Sequence, residues 1–392
     1  MRILFLASAT YALIAIAAPS HVPISKYAGP VKANSYIIKL KDDTSKHSHI
    51  AHLLSTAPEL TITYQYENVF HGYAAELEGQ ALDFVRRSRE VESIFEDGIT
   101  VLDFAVAEDA NGVEPIVSGD QVPLSTRTDG AGVDIYSLDT GIQINHTSFG
   151  GRARWGKTFG GYADGDNYGH GTHTAATAVG DSYGVATSSN IIAVKGTSKP
   201  FSPTHKLTAS VLSDSGIGEW SDVIAGIDYI TTQAAQSGRP SIATMSLTGA
   251  TYTPVDMAVT VAIGNGIHFT VAAGNQGVDA GSSSPARVVA ANTIGAVDVN
   301  HARAEFSNFG PSIGVWALGV DVRSAWIGPR GTETKVLSGT SMATPLVAGV
   351  LAVAIGDYGN KSPAGLSKDL KDHARPVVTG APVGTTNLLV AQ

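Results

Sequence analysis

"VDIYSLDTG", Val133 to Gly141, is a short β-rich run that ends in an acid and a glycine turn. Similar apolar runs follow: "NIIAVK" (190–195), "PSIATMSL" (240–247), "GIHFTVAAGN" (266–275) and "ANTIGAV" (291–297). Helical stretches lie between or after them, such as "WSDVIAGIDYITTQAAQ" (220–236) and "VDMAVTVAIGNG" (255–266). A long apolar helix, "GTSMATPLVAGVLAVAIGDY" (339–358), opens at a Gly-Thr-Ser turn. Continuous apolar strands alternating with helices predict an α/β fold with a parallel sheet covered by helices on both faces. In such sheets, catalytic groups sit at the carboxyl ends of the strands, where Asp139 stands.

The rest of the chain is organised around this region. The chain has 392 residues, 43 of them glycine, with 16% charged and 43% hydrophobic residues. That composition suits a compact enzyme and not a disordered or coiled-coil chain. The net charge of −9 and the lack of a basic patch argue against nucleic acid as a partner. Arg2, the apolar stretch Ile3–Ala17 and the small residues at Ala15–Ala17 read as a secretory signal over residues 1–17, which predicts an extracellular protein. No later apolar run reads as a membrane anchor. With no cysteine there is neither a disulfide framework nor a thiolate metal site. Sequons at Asn145 and Asn360 are compatible with a eukaryotic secretory route.

Between Ser35 and Leu102 the pattern is strand, helix, two strands, helix, strand, which predicts a small α+β module with helices on one side of an antiparallel sheet. Residues 18–106 hold this module, 107–130 are a polar linker, and 131–392 are the main domain.

"NYGHGTHTAAT" (167–177) carries His170 and His173. A metal pair would want a third ligand and a nearby glutamate, and this stretch has none. His173, one turn into a helix, reads as a core histidine. His170 stands at the helix start between two glycines, which leave room for a substrate. As a base it needs an acid to hold its tautomer and a nucleophile to deprotonate. Asp139 supplies the first, although it also suits a turn. Ser341 supplies the second, although serine at a helix start is often only a cap. Pro345 is out of place inside that helix unless the helix serves some further purpose. Asn275, at the end of another apolar run, could aim a side-chain N–H at an oxyanion together with the N–H of Ser341. Taken singly it is a plain turn residue.

In the chain order Asp, His, Ser these residues carry a resemblance. "LDTGI" (138–142), "GHGTHTAAT" (169–177), "VAAGN" (271–275) and "GTSMATP" (339–345) resemble the subtilisin-like serine proteases, above all the secreted fungal proteinase K-like group. The similarity runs along most of Gly132–Val390. Residues 35–102 resemble the inhibitor-type propeptide of the same family. The resemblance implies an extracellular, monomeric serine endopeptidase made as a zymogen. Asp139, His170 and Ser341 would be its triad and Asn275 its oxyanion donor. Its partners would be protein substrates and its own propeptide, with no membrane or nucleic acid.

An extended substrate would pair with Gly216, Ile217 and Gly218 on one side and Ser246, Leu247 and Thr248 on the other. Ala272, Ala273 and Gly274 would wall the first specificity pocket, favouring an aliphatic or aromatic residue before the cut. The maturation cut would fall within Leu102–Gly130. No cofactor is required, although the resemblance allows a structural calcium. The calcium site of proteinase K lacks its aspartate, because Gly314 stands there, and Thr248 replaces the usual glycine.

Two rival readings use other features. "DTG" (139–141) and "DSG" (214–216) match aspartic protease signatures, but they lie too close together for one per lobe and leave His170, Asn275 and Ser341 unexplained. A non-catalytic member of the fold would not need the full set of side chains. Finally, Gly196–Ser210 interrupts what family members run as "AVKVLSDSG". It reads as an in-frame retained intron, which requires GGT at Gly196, CTAAC across Leu207-Thr208 and TCA at Ser210 in the gene, or else as a functional loop.

Overall fold

The structure is a computed structural model that describes residues 21–102, 105–106, 128–196 and 216–390. The expected signal segment, most of the linker and all of the 196–210 insertion except Gly196 lie outside the described residues.

The N-terminal module runs β1 (Ile24–Ser25), β2 (Val31–Leu40), α1 (Lys46–Thr56), β3 (Thr61–Tyr66), β4 (Gly72–Glu76), α2 (Gly79–Arg87) and β5 (Val91–Val101). β2, β3, β4 and β5 form an antiparallel sheet in the order β5-β2-β4-β3, and β1 adds a short parallel pair at its edge. Side chains alternate across the strands. Ile38, Leu40, Tyr73 and Ile94 face the helices and pack on Ile50, Leu53, Ala81 and Val85. Ile37, Tyr66 and Ala74 face the other way, into a core shared with the main domain. One side of the sheet is therefore covered by helices, as expected, and the other by the rest of the protein.

After β6 (Ala105–Val106), the main domain contributes β7 (Asp134–Asp139), β8 (Ala153–Thr158), α3 (His170–Val179), β9 (Asn190–Lys195), β10 (Ile217–Glu219), α4 (Trp220–Ser237), β11 (Ser241–Met245), β12 (Gly249–Ala250), α5 (Thr253–Gly264), β13 (His268–Ala272), β14 (Ser283–Ser284), β15 (Asn292–Val297), β16 (Val315–Leu318), β17 (Val322–Ala325), β18 (Thr334–Ser338), α6 (Thr340–Tyr358), α7 (Pro363–His373), β19 (Arg375–Pro376) and β20 (Leu388–Leu389). Nine strands form the central sheet in the order β19-β20-β16-β15-β13-β11-β7-β9-β8, parallel except for β19.

Helices α3, α6 and α7 pack into one core with residues such as Ile135, Ile191 and Ile294. Helices α4 and α5 pack into the other with Tyr136, Ile192 and Phe269. The strand order reverses around β7: β9 and β8 lie to one side, β11 and β13 to the other. Asp139 ends β7 at this switch point, where open α/β sheets form a crevice.

Candidate active site

His170 is the first residue of α3 and is fully buried. Its Nδ1 lies 2.7 Å from Oδ1 and 3.0 Å from Oδ2 of Asp139. The Asp139 carboxylate also accepts the N–H of Thr140 at 2.7 Å and the hydroxyl of Thr174 at 3.2 Å. A carboxylate held by several donors fixes the orientation of the ring bonded to it.

What sets the start of α3 is Asp166, a residue the sequence reading passed over. It accepts the N–H groups of Tyr168, Gly169 and Thr172 at 2.8 to 3.0 Å and the hydroxyls of Thr140 and Thr172 at 2.9 and 2.7 Å. It thus satisfies donors that a helix start leaves open. An acid four residues ahead of His170 was the available signal.

The glycines flanking His170 have a different cause from the one expected. A β-carbon on Gly171 would sit 2.1 Å from the Gly141 carbonyl oxygen, and one on Gly169 would sit 2.4 Å from the Trp326 ring. They let α3 approach the end of β7 and the indole, so their small size serves packing within the protein. His173 behaves as a core residue: Nε2 donates to the carbonyls of Val322 and Lys335, both at 3.1 Å. Burial lowers its pKa to about 3, which keeps it neutral.

Ser341 is the second residue of α6, which packs against α3. Its N–H belongs to the first turn, where no preceding helical carbonyl is available. Its hydroxyl is 3.2 Å from the carbonyl oxygen of Ser246, and the Ser246 hydroxyl donates to the Ser341 carbonyl at 2.9 Å. Pro345 now has an explanation. It lacks the N–H that would bond the carbonyl four residues back, which is that of Ser341. The hydroxyl of Ser246 takes that carbonyl instead, tying α6 to the end of β11.

Asn275 follows β13. Its Oδ1 accepts the N–H and the hydroxyl of Thr340 at 2.8 and 2.9 Å. The oxygen end of the side-chain amide is therefore fixed beside Thr340, which sets the amide's orientation. The turn itself is shaped by Asn308, another residue the sequence reading missed. Its Nδ2 donates to the Ala273 carbonyl at 2.9 Å, and its Oδ1 accepts the N–H groups of Gln276 and Val278. Ala272 and Ala273 are buried, and Gly274 donates its N–H to the Thr340 hydroxyl at 3.2 Å.

Residues 130–388 match the subtilase family, and residues 35–103 match the peptidase inhibitor I9 family. The chain belongs to the subtilase family. It is a subtilisin-like serine protease that carries its inhibitor module in the same chain. A cuticle-degrading protease of Metarhizium anisopliae is 34% identical over 374 residues, covering 92% of this chain and 90% of that protein. An alkaline serine protease of Corniculantispora psalliotae is 34% identical and covers 95% and 94% of the two chains. A cold-adapted subtilisin-like serine proteinase of solved structure is 39% identical, with a TM-score of 0.59 over 67% of this chain and 89% of that one. Fervidolysin, a keratinolytic enzyme from Fervidobacterium pennivorans, shares the fold at 19% identity, with a TM-score of 0.72 over 95% of this chain and 62% of its own.

In this subtilase the inhibitor module pairs with the first segment expected to bind substrate and touches the second at Thr248. β5 pairs antiparallel with β10, placing Val101, Thr100 and Ile99 opposite Ile217, Gly218 and Glu219. Leu102 donates its N–H to the Gly216 carbonyl at 2.9 Å, and the Thr100 hydroxyl donates to the Thr248 carbonyl at 2.9 Å. Beyond it, β6 pairs with β18, with Ala105 opposite Ser338. Leu247 is buried in the core beneath, and Ser246 is held by Ser341.

The module is also clasped by α4. Asp97 of β5 accepts the N–H and hydroxyl of Ser221 at 3.0 and 2.7 Å and the hydroxyl of Ser35 at 2.8 Å. Tyr64 donates its hydroxyl to Asp222 at 2.7 Å. Asp228 accepts three successive backbone N–H groups, from Glu67, Asn68 and Val69.

Proposed function

We propose that this subtilase is a secreted, monomeric endopeptidase made as a zymogen, with Ser341 as nucleophile, His170 as general base, Asp139 as its orienting acid and Asn275 as an oxyanion donor. The bonds of 2.7 and 3.0 Å between His170 Nδ1 and the buried Asp139 carboxylate carry this reading. In this reading Nε2 takes the proton of Ser341 as its oxygen attacks the scissile carbonyl, and returns it to the leaving amine. The amide of Asn275 and the N–H of Ser341 would receive the oxyanion. The uncharged Ala272, Ala273 and Gly274 support an aliphatic or aromatic preference before the cut. The apolar leader supports secretion.

No calcium is invoked at Gly314. The position has no carboxylate, and the Lys371 side chain passes 3.6 Å from where a β-carbon would stand. No group of three or more His, Cys, Asp or Glu side chains among the described residues could hold a metal.

For the maturation cut we propose a narrower range than Leu102–Gly130. The chain is paired beside Gly216 at Leu102 and again beside Ser338, three residues ahead of Ser341, at Ala105. The three peptide bonds between these anchors are the proposed target. A fluorophosphonate probe should label Ser341, and Ser341→Ala should accumulate as an uncut chain. N-terminal sequencing of the mature enzyme should begin at residue 103, 104 or 105. Absence of labelling would remove the mechanism. A mature N-terminus beyond residue 110 would remove the proposed cut.

A further inference from the structure

The stretch from Val22 to Pro30 precedes the matched inhibitor region, and nothing in the proposed chemistry uses it. It is not loose chain. Val22 donates its N–H to the Arg86 carbonyl at 2.7 Å, Ile24 and Ser25 pair with Ile94 and Phe95, and Ile99 donates to the Pro30 carbonyl at 2.7 Å. These bonds all go to the module itself. Within Val22–Pro30 only Tyr27 is buried, at 8% exposure.

The Tyr27 ring leaves the module and enters the protease domain. It meets Tyr252 edge-on, with ring centres 5.2 Å apart, and Tyr252 is in turn stacked on Trp220 at 5.8 Å. Two glycines give it space. A β-carbon on Gly98 would fall 2.6 Å from the Tyr27 ring and 2.7 Å from Trp220. One on Gly249 would fall 2.8 Å from the Tyr27 hydroxyl and 2.7 Å from Trp220. The backbone at Tyr27 is fixed by Glu96, whose carboxylate accepts the Tyr27 N–H at 3.2 Å and pairs with Lys26 at 2.5 Å. The Tyr252 hydroxyl donates to the Glu96 carbonyl at 2.7 Å. An aromatic ring seated among other rings and glycine backbone, and held from behind, has the anatomy of an interface anchor.

We infer that Val22–Pro30 is a strap belonging to the inhibitor, and that Tyr27 is its anchor in an aromatic slot of the protease domain formed by Trp220, Tyr252 and Gly249. The inference rests on the reading of the module as the chain's own inhibitor. The slot lies beside the strand that occupies the substrate edges, so the strap adds hold without entering the cleft. The inhibitory unit of this chain therefore begins about a dozen residues before the inhibitor-family match.

The test uses the full chain. In the Ser341→Ala background, hydrogen exchange is followed at the β5–β10 ladder (99–102 and 216–219) and, as an internal reference, at the β2–β4 ladder of the module. Tyr27→Ala should speed exchange of the first at least tenfold and leave the second within twofold, while Tyr27→Phe should keep most of the protection. In the cleavage-competent chain, Tyr27→Ala should shorten the lag before activity appears by several-fold without changing the final rate. Unchanged exchange at β5–β10, or equal loosening of both ladders, would overturn the anchor. A parent chain that shows no lag at all would instead overturn the inhibitor reading, and the exchange experiment would still report on Tyr27.

Discussion

Asp139 and Asp97 are both buried carboxylates with several donors, but their donors come from different places. Those of Asp139 are His170, Thr140 and Thr174, all in the protease domain. Those of Asp97 are Ser35 in its own module and Ser221 across the boundary. The first constellation is complete in one body and stays assembled through each turnover, as a preorganised site requires. The second exists only while two bodies touch. The same chemical group serves as a permanent fixture in one place and as a detachable contact in the other.

Four measurements would break or sharpen this contrast. The largest effect is expected from Asp139→Asn, which keeps the shape but loses the charge and favours the wrong histidine tautomer. The rate constant for peptide hydrolysis should fall by about 10⁴, and a fall of less than tenfold would end the view of Asp139 as a catalytic fixture. Asn275→Leu comes next, with a loss on the order of 10²–10³ in kcat and little change in KM. A change confined to KM would move Asn275 from the oxyanion to substrate binding.

The third measurement concerns pH at the detachable contact. Burial pushes Asp97 up to about 6 and Asp222 up to about 7, with the hydroxyls of Ser221 and Tyr64 pulling the other way. Glu219 lies near both and raises each further, and among the described residues the cation paired with it is Lys32, which also serves Glu76. Undocking returns both acids to water, where they ionise near 4. The docked form therefore holds protons that the free parts release. Its advantage is complete below about pH 4 and is lost as pH rises through 6 and 7. After cleavage, affinity between module and enzyme should drop on the order of a thousandfold from pH 5 to pH 8. Size-exclusion of the cut complex across that range reads the effect. Asp97→Asn with Asp222→Asn should flatten it, and a pH-independent complex would refute it.

The smallest effects come as a pair. Thr174→Val removes one hydroxyl from Asp139, and Ser221→Ala removes one from Asp97. Each bond is worth about 1 kcal/mol, or roughly fivefold. The first should appear in kcat and not in the affinity for the module, the second in that affinity and not in kcat. Crossed effects would mean that the two carboxylates are coupled.

The strands, the helices and the residues of the proposed triad were legible because each is a local pattern: an apolar run, a 3.6-residue period, an acid or serine at an element's end. The parts that were not legible depend on distant partners. Pro345 looked anomalous because its explanation is the bond between Ser246 and Ser341, which lie 95 residues apart in the chain. Asp166 sits in "ADGDNYG", which reads as an ordinary turn until Thr140 and Thr172 are seen to donate to it. Gly169 and Gly171 seemed to make room for substrate, whereas Trp326 and Gly141 already fill that room. Tyr27 had no periodicity around it, and its slot is assembled from residues nearly two hundred positions or more downstream.

The module's sheet is coated by helices on one face only, with Ile37, Tyr66 and Ala74 on the other pressed into the protease core. A body of this size has little apolar surface to spare. Once severed and undocked, it must hold that bared face in water, which favours unravelling over rebinding. An unravelled segment beside a working protease is itself substrate. Activation thus acts as a ratchet, because the step that frees the enzyme also prepares its inhibitor for destruction.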